Sequence, residues 1–561
     1  MVATMIFAVV IVAVLVVTGR MELKVTNLCV DTQRRIRINR WGLARRARDW
    51  DRLVEIQADE SIANLPLAVD LDLFGHASLM QLLCTAQTEE GISTLVRWLV
   101  EPSDPPEVRR RQRVCEKLAP SLDWRQELQR HCIAIGDHAD QTRRFKSWAQ
   151  ESAPIKLPSP VRKYVLSLRL LAPLVLACFV VYPAAATVVT AVLLLINVAL
   201  TVAYSGAIHT FFRKILVTSE AHCHSYLSDT FSHLSNSDEL RATMPDVVSA
   251  CHVAVAEFKR LERILRLESI SSNPMTVWFF YIPLQFVLLW DLQLFMHAEA
   301  WRKVSGGEAP RWFDLLGEVE TLCSLASLSY EQPGWQFPEL IDSNVPTFVA
   351  KDLGHPLLPD RSRVANDIRL GPPGRLQLIT GSNMGGKSTL LRAIGVNAVL
   401  AQAGAPCCCQ SLKMSPLKVM TSMRVLDSLS DSTSMFMAQL LNLKRIVDQL
   451  RSTGDGEQGR PLMYLFDEIL NGTNTSDRRL AVESLVGYLL GCRAIGAMTT
   501  HDLEIARESK HRGSFETHYL AHQLAGDQTN PMIKYDYKLR PGVAPRSNAM
   551  LLLRLLGLPE E

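Results

Sequence analysis

Between Arg169 and Arg213 the chain reads "LLAPLVLACFVVYPAAATVVTAVLLLINVALTVAYSGAIHTFF", without one Asp, Glu, Lys or Arg. As a single helix, roughly 43 residues would measure about 65 Å, about twice the ~30 Å hydrocarbon thickness of a bilayer. Pro183 divides the stretch, because proline lacks the amide hydrogen a helix interior needs. The first arm, from Leu166 or Leu170 to Tyr182, is short; the second, from Ala184 to Tyr204, is of spanning length. That pattern describes a hairpin of two membrane helices, or a re-entrant arm followed by one span. The alternative is a buried soluble helical pair, but neither arm has the polar face that a globular helix turns to water.

Two further apolar runs bear on the same question. The chain opens "MVATMIFAVVIVAVLVVTGR", whose roughly 17 apolar residues would reach about 26 Å as a helix. A secretory signal would have a basic start and a small-residue cleavage site; here the arginines come afterwards, which favours an uncleaved anchor. The run "PMTVWFFYIPLQFVLLW", Pro274 to Trp290, is shorter and interrupted by Pro283. It reads as a core helix, with membrane insertion as the alternative. Arginines crowd the C-terminal side of the first run, Arg162, Lys163 and Arg169 precede the hairpin, and Arg213 and Lys214 follow it. The positive-inside bias then leaves only a "YPAAA" tip on the far side and places the rest of the chain in the cytoplasm.

With 561 residues the chain has room for several domains, and a net charge of +3 gives no global signal for a nucleic-acid partner. The charge is uneven, however: "RRIRINRWGLARRARDW", Arg34 to Trp50, is dense in arginine. Such a run is a solvated face or a tether, and beside a membrane it also attracts anionic lipid. The twelve cysteines form no CxxC pair, which argues against structural zinc or a disulfide framework and for a reducing compartment. "CCC", Cys407 to Cys409, suits a buried strand of small side chains.

After the Pro/Gly break "LGPPGR" comes "LQLITGSNMGGKSTLLRAIGVNAVL": a short apolar strand, a loop, and a helical pattern. Gly381 to Ser388 fits G-x-x-x-x-G-K-[ST], a phosphate-cradling loop in which backbone N–H groups and the helix N-terminus face an anion. Lys387 is placed to reach the β- and γ-phosphates of ATP, and Ser388 to hold Mg²⁺. Downstream, "PLMYLFDEILNGTNTSD" is a buried strand ending in Asp467, suited to Mg²⁺, and Glu468, suited to act as general base on the attacking water. "AIGAMTTHDLEIA" is a further strand-like run ending in His501, where an imidazole could sense the γ-phosphate.

Together these segments resemble the ATPase domain of the MutS family, within the ABC-type ATPases. "TGSNMGGKSTLLR" is close to that family's phosphate loop, so the resemblance implies nucleotide contacts from Gly381, Ser382, Asn383, Met384, Gly385, Gly386, Lys387, Ser388 and Thr389. "FDEILNGTNTSD" is similar to the Walker B and D-loop pattern, and "TTHD" to the switch histidine. "STSMFMAQL", Ser432 to Leu440, resembles the signature segment, which implies that Ser434 approaches ATP held by the opposite subunit of a homodimer. "GHPLL", "VAND", "YDYKLRPG" and "GLP" fit the same frame, from roughly Phe348 to Pro559. A weaker likeness to the family's helical lever covers "DLDLFGHASLMQLLCTAQTEEGISTLVRWLVEP" with "VRRRQRVCEKL", and "WFDLLGEVETLCSLASLS".

The chain also departs from the family. Mismatch-repair members carry an N-terminal domain whose F-x-E motif wedges into the duplex; nothing before Asp70 has room for it, and "FPE" at Phe337 lies in the wrong part of the chain. The hairpin stands where the DNA clamp normally interrupts the lever. Gln439 replaces the usual Glu of the signature, and Arg363 sits where an aromatic or apolar residue often packs on adenine, a contact arginine could replace by cation–π stacking.

The expected fold is thus an α/β P-loop NTPase domain C-terminal to an all-α lever with transmembrane helices. The division runs 1–19 anchor, 20–64 basic juxtamembrane linker, 65–164 first lever part, 165–212 hairpin, 213–345 second lever part and connector, 346–561 ATPase domain. The expected function is a membrane-anchored, dimeric ATPase using ATP and Mg²⁺, with membrane lipid as a partner. A membrane-tethered protein that binds mismatched or structured DNA is the alternative.

Overall fold

A computed structural model of the chain describes residues 2–152, 155–216, 223–268, 277–343, 345–382, 385–424, 435–453, 460–470, 475–525 and 532–544. The chain divides into two compact units, one of residues 1–85, 92–122 and 321–561, the other of 86–91 and 123–320. The architecture is helical with two mixed α/β sheets, both in the first unit. The expected boundaries at 65 and 346 are not those of the compact units: residues 65–85 and 92–122 pack with the C-terminal domain.

In the first unit, a six-stranded sheet has the order β10-β9-β4-β8-β7-β6. Its strands are β4 (Leu376–Thr380), β6 (Lys418–Ser422), β7 (Leu462–Asp467), β8 (Ala494–Thr500), β9 (Phe515–Ala525) and β10 (Met532–Pro541). All neighbours are parallel except β10, which pairs antiparallel with β9. The central strands read "LQLIT", "LMYLFD" and "AIGAMTT" and are buried nearly throughout, as parallel strands covered on both faces must be. A smaller sheet has the order β1-β5-β2-β3, from Glu339–Leu340, Ser411–Met414, Phe348–Leu353 and Asn366–Leu370.

The helix Lys387–Ala403 is buried along most of its length. Asn397 at its middle donates to Gly354 O at 2.9 Å and accepts from Cys408 N at 2.7 Å, tying two loops to the helix. Gly404 closes the helix at φ +92°, and Arg111 donates to the Ala403 carbonyl at 3.2 Å. Cys407 to Cys409 are buried as expected but do not form a strand: Cys407 makes one isolated bridge, to Gln336.

The backbone is one continuous helix from Val2 to Ala47, so the basic segment after Arg20 extends the helix through Ala47 rather than starting a separate linker. The side chains before Val17, which carry the expected anchor, lie outside the described residues. At the other end of the helix, Arg45 makes a bidentate ion pair with Glu331, at 2.6 and 3.2 Å. Arg48, in left-handed conformation at φ +57°, donates twice to Pro356 O, at 2.9 and 3.2 Å. Arg45 and Arg48 are buried in protein contacts, whereas Arg35, Arg40 and Arg46 of the same segment are exposed, as a solvated face would be.

The second unit is entirely helical among the described residues. Its core is aromatic: Trp148 stacks on Trp301 at 5.9 Å, Phe231 on Phe258 at 5.4 Å, and Phe211 meets Phe295 edge-on at 4.9 Å. Each such ring contributes about 1.5–3 kcal/mol through burial. Glu320 is buried here and accepts from Gln87 N at 2.8 Å and from the Thr88 hydroxyl. Burial pushes its pKa up against those hydrogen bonds.

The apolar stretch breaks where the sequence predicts, but its first arm is longer than expected. Ser159–Val181 and Pro183–Leu216 are helices separated at Tyr182, with Pro183 in the first turn of the second, where its missing N–H is no loss. Pro183–Lys214 is one helix long and apolar enough to cross a membrane, with a mean hydropathy of 2.3 and only 11% of its most apolar window buried.

The third apolar run is not a core helix. It starts, among the described residues, with a π-helical turn, Val277–Tyr281, continues as Ile282–Leu288, and bends by 76° into the helix Trp290–Ser305. Trp278, Phe279 and Phe280 are exposed, and the residue that Ile282–Leu288 buries is the polar Gln285.

Candidate active site

Three parallel strands bring the predicted residues to one edge. Thr380 of β4 pairs with Thr500 of β8, and Asp467 of β7 with Thr499 of β8. The loop after β4, the two carboxylates after β7 and the imidazole after β8 therefore emerge side by side. The crevice outside the carboxyl ends of parallel strands is where open α/β sheets bind ligands.

Lys387 is the centre of this edge. Its side chain is 2% exposed, and its ammonium donates to Gly381 O at 2.8 Å and Ser382 O at 3.0 Å. It lies 3.1 Å from Glu468 Oε1, and Glu468 Oε2 lies 3.3 Å from His501 Nδ1. Loop, lysine, glutamate and histidine thus form one connected chain of contacts. Thr499 organises the carboxylates: its hydroxyl donates to Asp467 Oδ1 at 2.5 Å and accepts from Glu468 N at 3.2 Å. Glu468 itself adopts φ +48°, a left-handed conformation rare for a residue with a side chain.

The loop is shaped by glycine. Gly381 has φ +144° and Gly386 φ +88°, and a Cβ on Gly386 would lie 2.8 Å from the Tyr537 ring. Gly386 precedes the helix without a side-chain cap, so the first N–H groups of that helix point toward the edge where an anion would bind. Beside it lies a cavity of about 440 Å³ lined by Gly386, Lys387, Ser388 and Thr389 on one side. His355, Leu358, Val364, Asn366 and Tyr537 line the other. The hydroxyl of Ser388 and the carboxylate of Asp467 are hard oxygen donors, the set that suits Mg²⁺.

Asn383, Met384 and Ser434 lie outside the described residues, as do residues 471–474 after the carboxylates and "GLP" near the end. Gln439 is half-buried in the helix Met435–Thr453. Arg363 does not line the cavity. Its guanidinium pairs with Asp360 at 2.6 Å and lies 5.7 Å from the Trp335 ring, and the cavity is lined instead by Leu358, Val364 and Tyr537 together with His355, Ser362 and Asn366.

Residues that the motifs did not single out hold this arrangement. Tyr537 reaches the cavity because β10 is irregular between Tyr535 and Leu539, and Asn366 binds that irregularity at Tyr537 O (3.0 Å) and Leu539 N (2.8 Å). The segments "VAND" and "YDYKLRPG" contain both residues, but no spacing rule shows that they meet. Asp502, next to His501, accepts from Arg479 at 2.8 Å and Arg478 at 3.3 Å, and caps the following helix at Glu504 N. Burial raises the Asp502 pKa, but the hydrogen bonds from Arg479, Glu504 N and Arg478 outweigh it and bring the net value down.

The family model described as MutS domain V matches residues 377–561. DNA mismatch repair protein MSH6 of Arabidopsis thaliana is 29% identical over 296 residues, covering 47% of this chain and 20% of that protein. Endonuclease MutS2 of Carboxydothermus hydrogenoformans is 30% identical over 262 residues, covering 45% and 31%. DNA mismatch repair protein MutS of Aquifex pyrophilus is 30% identical over 255 residues, covering 44% and 28%. The chain thus spans less than a third of the length of each of these relatives. With the matched domain carrying the loop, carboxylates and histidine described above, residues 377–561 are a MutS domain V, and these relatives support membership of the MutS family.

Proposed function

We propose that the protein is a membrane-anchored ATPase that binds and hydrolyses ATP as a homodimer with composite sites, in the cytoplasm. The observation that carries this reading is the chain of contacts from Gly381 through Lys387 and Glu468 to His501 at the ends of β4, β7 and β8. The loop amides and Lys387 bind the phosphates. A phosphate arriving beside Lys387 competes with Glu468 for the ammonium, which frees the carboxylate to orient and deprotonate water. His501, already on Glu468, reports the state of that carboxylate to β8. Ser388 and Asp467 would hold Mg²⁺, which when bound would neutralise charge on the phosphates. His355, Leu358, Val364 and Tyr537 offer an apolar seat for the base.

The membrane part rests on the hairpin, whose second arm is apolar and largely uncovered. Closure of two ATPase domains on each other would be passed through the helical unit to that hairpin. In purified protein, Lys387→Ala and Glu468→Gln should each reduce ATP turnover by about 10²-fold or more, the range for removing a positioned acid–base or electrostatic group. Turnover equal to the unaltered protein would remove the reading.

A membrane-tethered DNA-binding protein is the second reading, favoured by relatives whose names are those of DNA mismatch repair proteins. Against it, Arg45 and Arg48 of the basic segment are engaged within the protein. Turnover measured with and without mismatched duplex separates the two: stimulation that falls steeply with salt would favour DNA.

A further inference from the structure

We propose that Val277–Leu288 is an interfacial collar: a short element lying in the headgroup region at the foot of the hairpin, with Trp278, Phe279 and Phe280 seated in lipid. The proposal rests on the membrane reading of the hairpin and adds to it a third lipid contact.

The hydrogen bonds fix where the collar meets the hairpin. Asn197, midway along the second arm, donates to Phe286 O at 2.6 Å, and Gln285 donates to the Thr201 hydroxyl at 3.1 Å. On the first arm, the Tyr164 hydroxyl donates to Asn197 Oδ1 at 2.9 Å. From that crossing to the tip at Pro183 is roughly 14–18 residues, about 21–27 Å of helix, close to the ~30 Å of a hydrocarbon core. The part of the hairpin beyond the collar is thus matched to the bilayer, and the collar sits where the bilayer ends. With roughly 12 residues, about 18 Å, the collar is itself too short to cross. Its chain then bends by 76° into Trp290–Ser305, which enters the aromatic core at Phe295 and Trp301.

Polarity is inverted at this place. Inside the contact, Asn197 is 1% exposed and Gln285 4%; outside it, Leu195 is 73% exposed, Trp278 73% and Phe279 75%. A water-soluble bundle has the opposite arrangement. In lipid, apolar side chains face outward, and polar groups face inward to satisfy backbone that water cannot reach. The collar shows that need directly. Leu289 ends it in left-handed conformation at φ +52°, leaving the last carbonyls without helical donors. Asn197 serves Phe286 O, and Gln293 serves Leu288 O at 2.7 Å. Gln293 is itself held by Arg169 at 2.7 Å. Tryptophan and phenylalanine anchor at the headgroup level, and the exposed Arg162 and Lys163, within a turn of Tyr164, face anionic lipid at the same height.

The test is photo-crosslinking of the full chain reconstituted in vesicles of phosphatidylcholine and phosphatidylglycerol. A benzophenone amino acid is placed singly at Phe279, at Leu195 or at Val304, and lipid adducts are read by mass spectrometry. All three positions are exposed, so the fold tolerates the probe. Lipid adducts at Phe279 and Leu195, at least fivefold above those at Val304, are expected. Adducts at Leu195 with none above the Val304 level at Phe279 would overturn the collar while leaving the hairpin in the membrane. No adducts at either position would overturn the membrane reading, and the collar with it.

Discussion

His355 shows how a single buried side chain ties folding stability to pH. It lines the cavity, and its Nδ1 accepts from Leu357 N at 3.2 Å, a bond that requires the unprotonated nitrogen. Burial, with Arg392 and Arg363 adding repulsion, depresses its pKa from 6.5 to about 4. The folded chain therefore leaves the ring neutral between those values while the unfolded chain takes up a proton. Stability falls as pH drops through about 6.5 and stops falling on this account near pH 4. At pH 5.5 the difference is on the order of 1 kcal/mol. The melting temperature of the unaltered protein should drop more between pH 7.5 and 5.5 than that of His355→Gln; parallel curves would show that the ring does not titrate in this way.

Much at this scale was legible beforehand. Lys387, Ser388, Asp467, Glu468 and His501 follow from residue types at set distances after apolar strands, because a phosphate needs backbone amides and a cation at one end of a sheet. Tyr537, His355 and Asn366 were not legible, since they come from β10, from the loop after β2 and from β3, and only pairing in three dimensions brings them together. Arg363 differs for a local reason: Asp360, three residues earlier, holds its guanidinium away from the cavity.

At the scale of elements, the hairpin and the N-terminal helix teach opposite lessons. Pro183 announced the hairpin's break, since a proline fits the first turn of a helix and is costly inside one, yet Pro173 sits within the first arm without ending it. The arginine-rich segment announced a tether, yet it is helix whose last turn is fastened to the protein. Charge alone could not reveal this, because the partners, Glu331 and Pro356 O, lie some 300 residues away in sequence. The Arg45–Glu331 pair is largely buried on both sides. Breaking such a pair leaves an unpaired buried charge and costs about 3 kcal/mol or more. Arg45→Ala should lower the denaturation midpoint accordingly, and Arg45→Ala with Glu331→Gln should recover part of the loss. If the double variant is as unstable as the single one, the charge left behind is not the cause. The run at Pro274 read as core because its composition is apolar; only the direction of its side chains distinguishes a core from an exposed surface.

At the scale of the molecule, the sequence carried the α/β character of the C-terminal domain but not how the chain is shared out. Residues 65–122 look like one run of amphipathic helices, yet most of them pack with the C-terminal domain while 86–91 join the helical unit. Amphipathic periodicity says that a face is buried, not against what. The proposed composite sites predict a kinetic order. ATP turnover per chain should rise with protein concentration and then level off as dimers fill, whereas a rate proportional to concentration throughout would indicate self-sufficient protomers.

The unbroken helix Val2–Ala47 has a mechanical consequence. At 1.5 Å per residue it is a rod of about 69 Å, held at its last turn by Arg45 and just beyond it by Arg48. Arg48 grips Pro356, which lies between His355 and Leu358 in the cavity wall. A long rod clamped at one end amplifies torque: tilting its other end must either pull the guanidinium off its carbonyl or swing the wall of the cavity with it. Whatever grips the first turns of this helix therefore has a handle on the shape of the cavity beside Lys387.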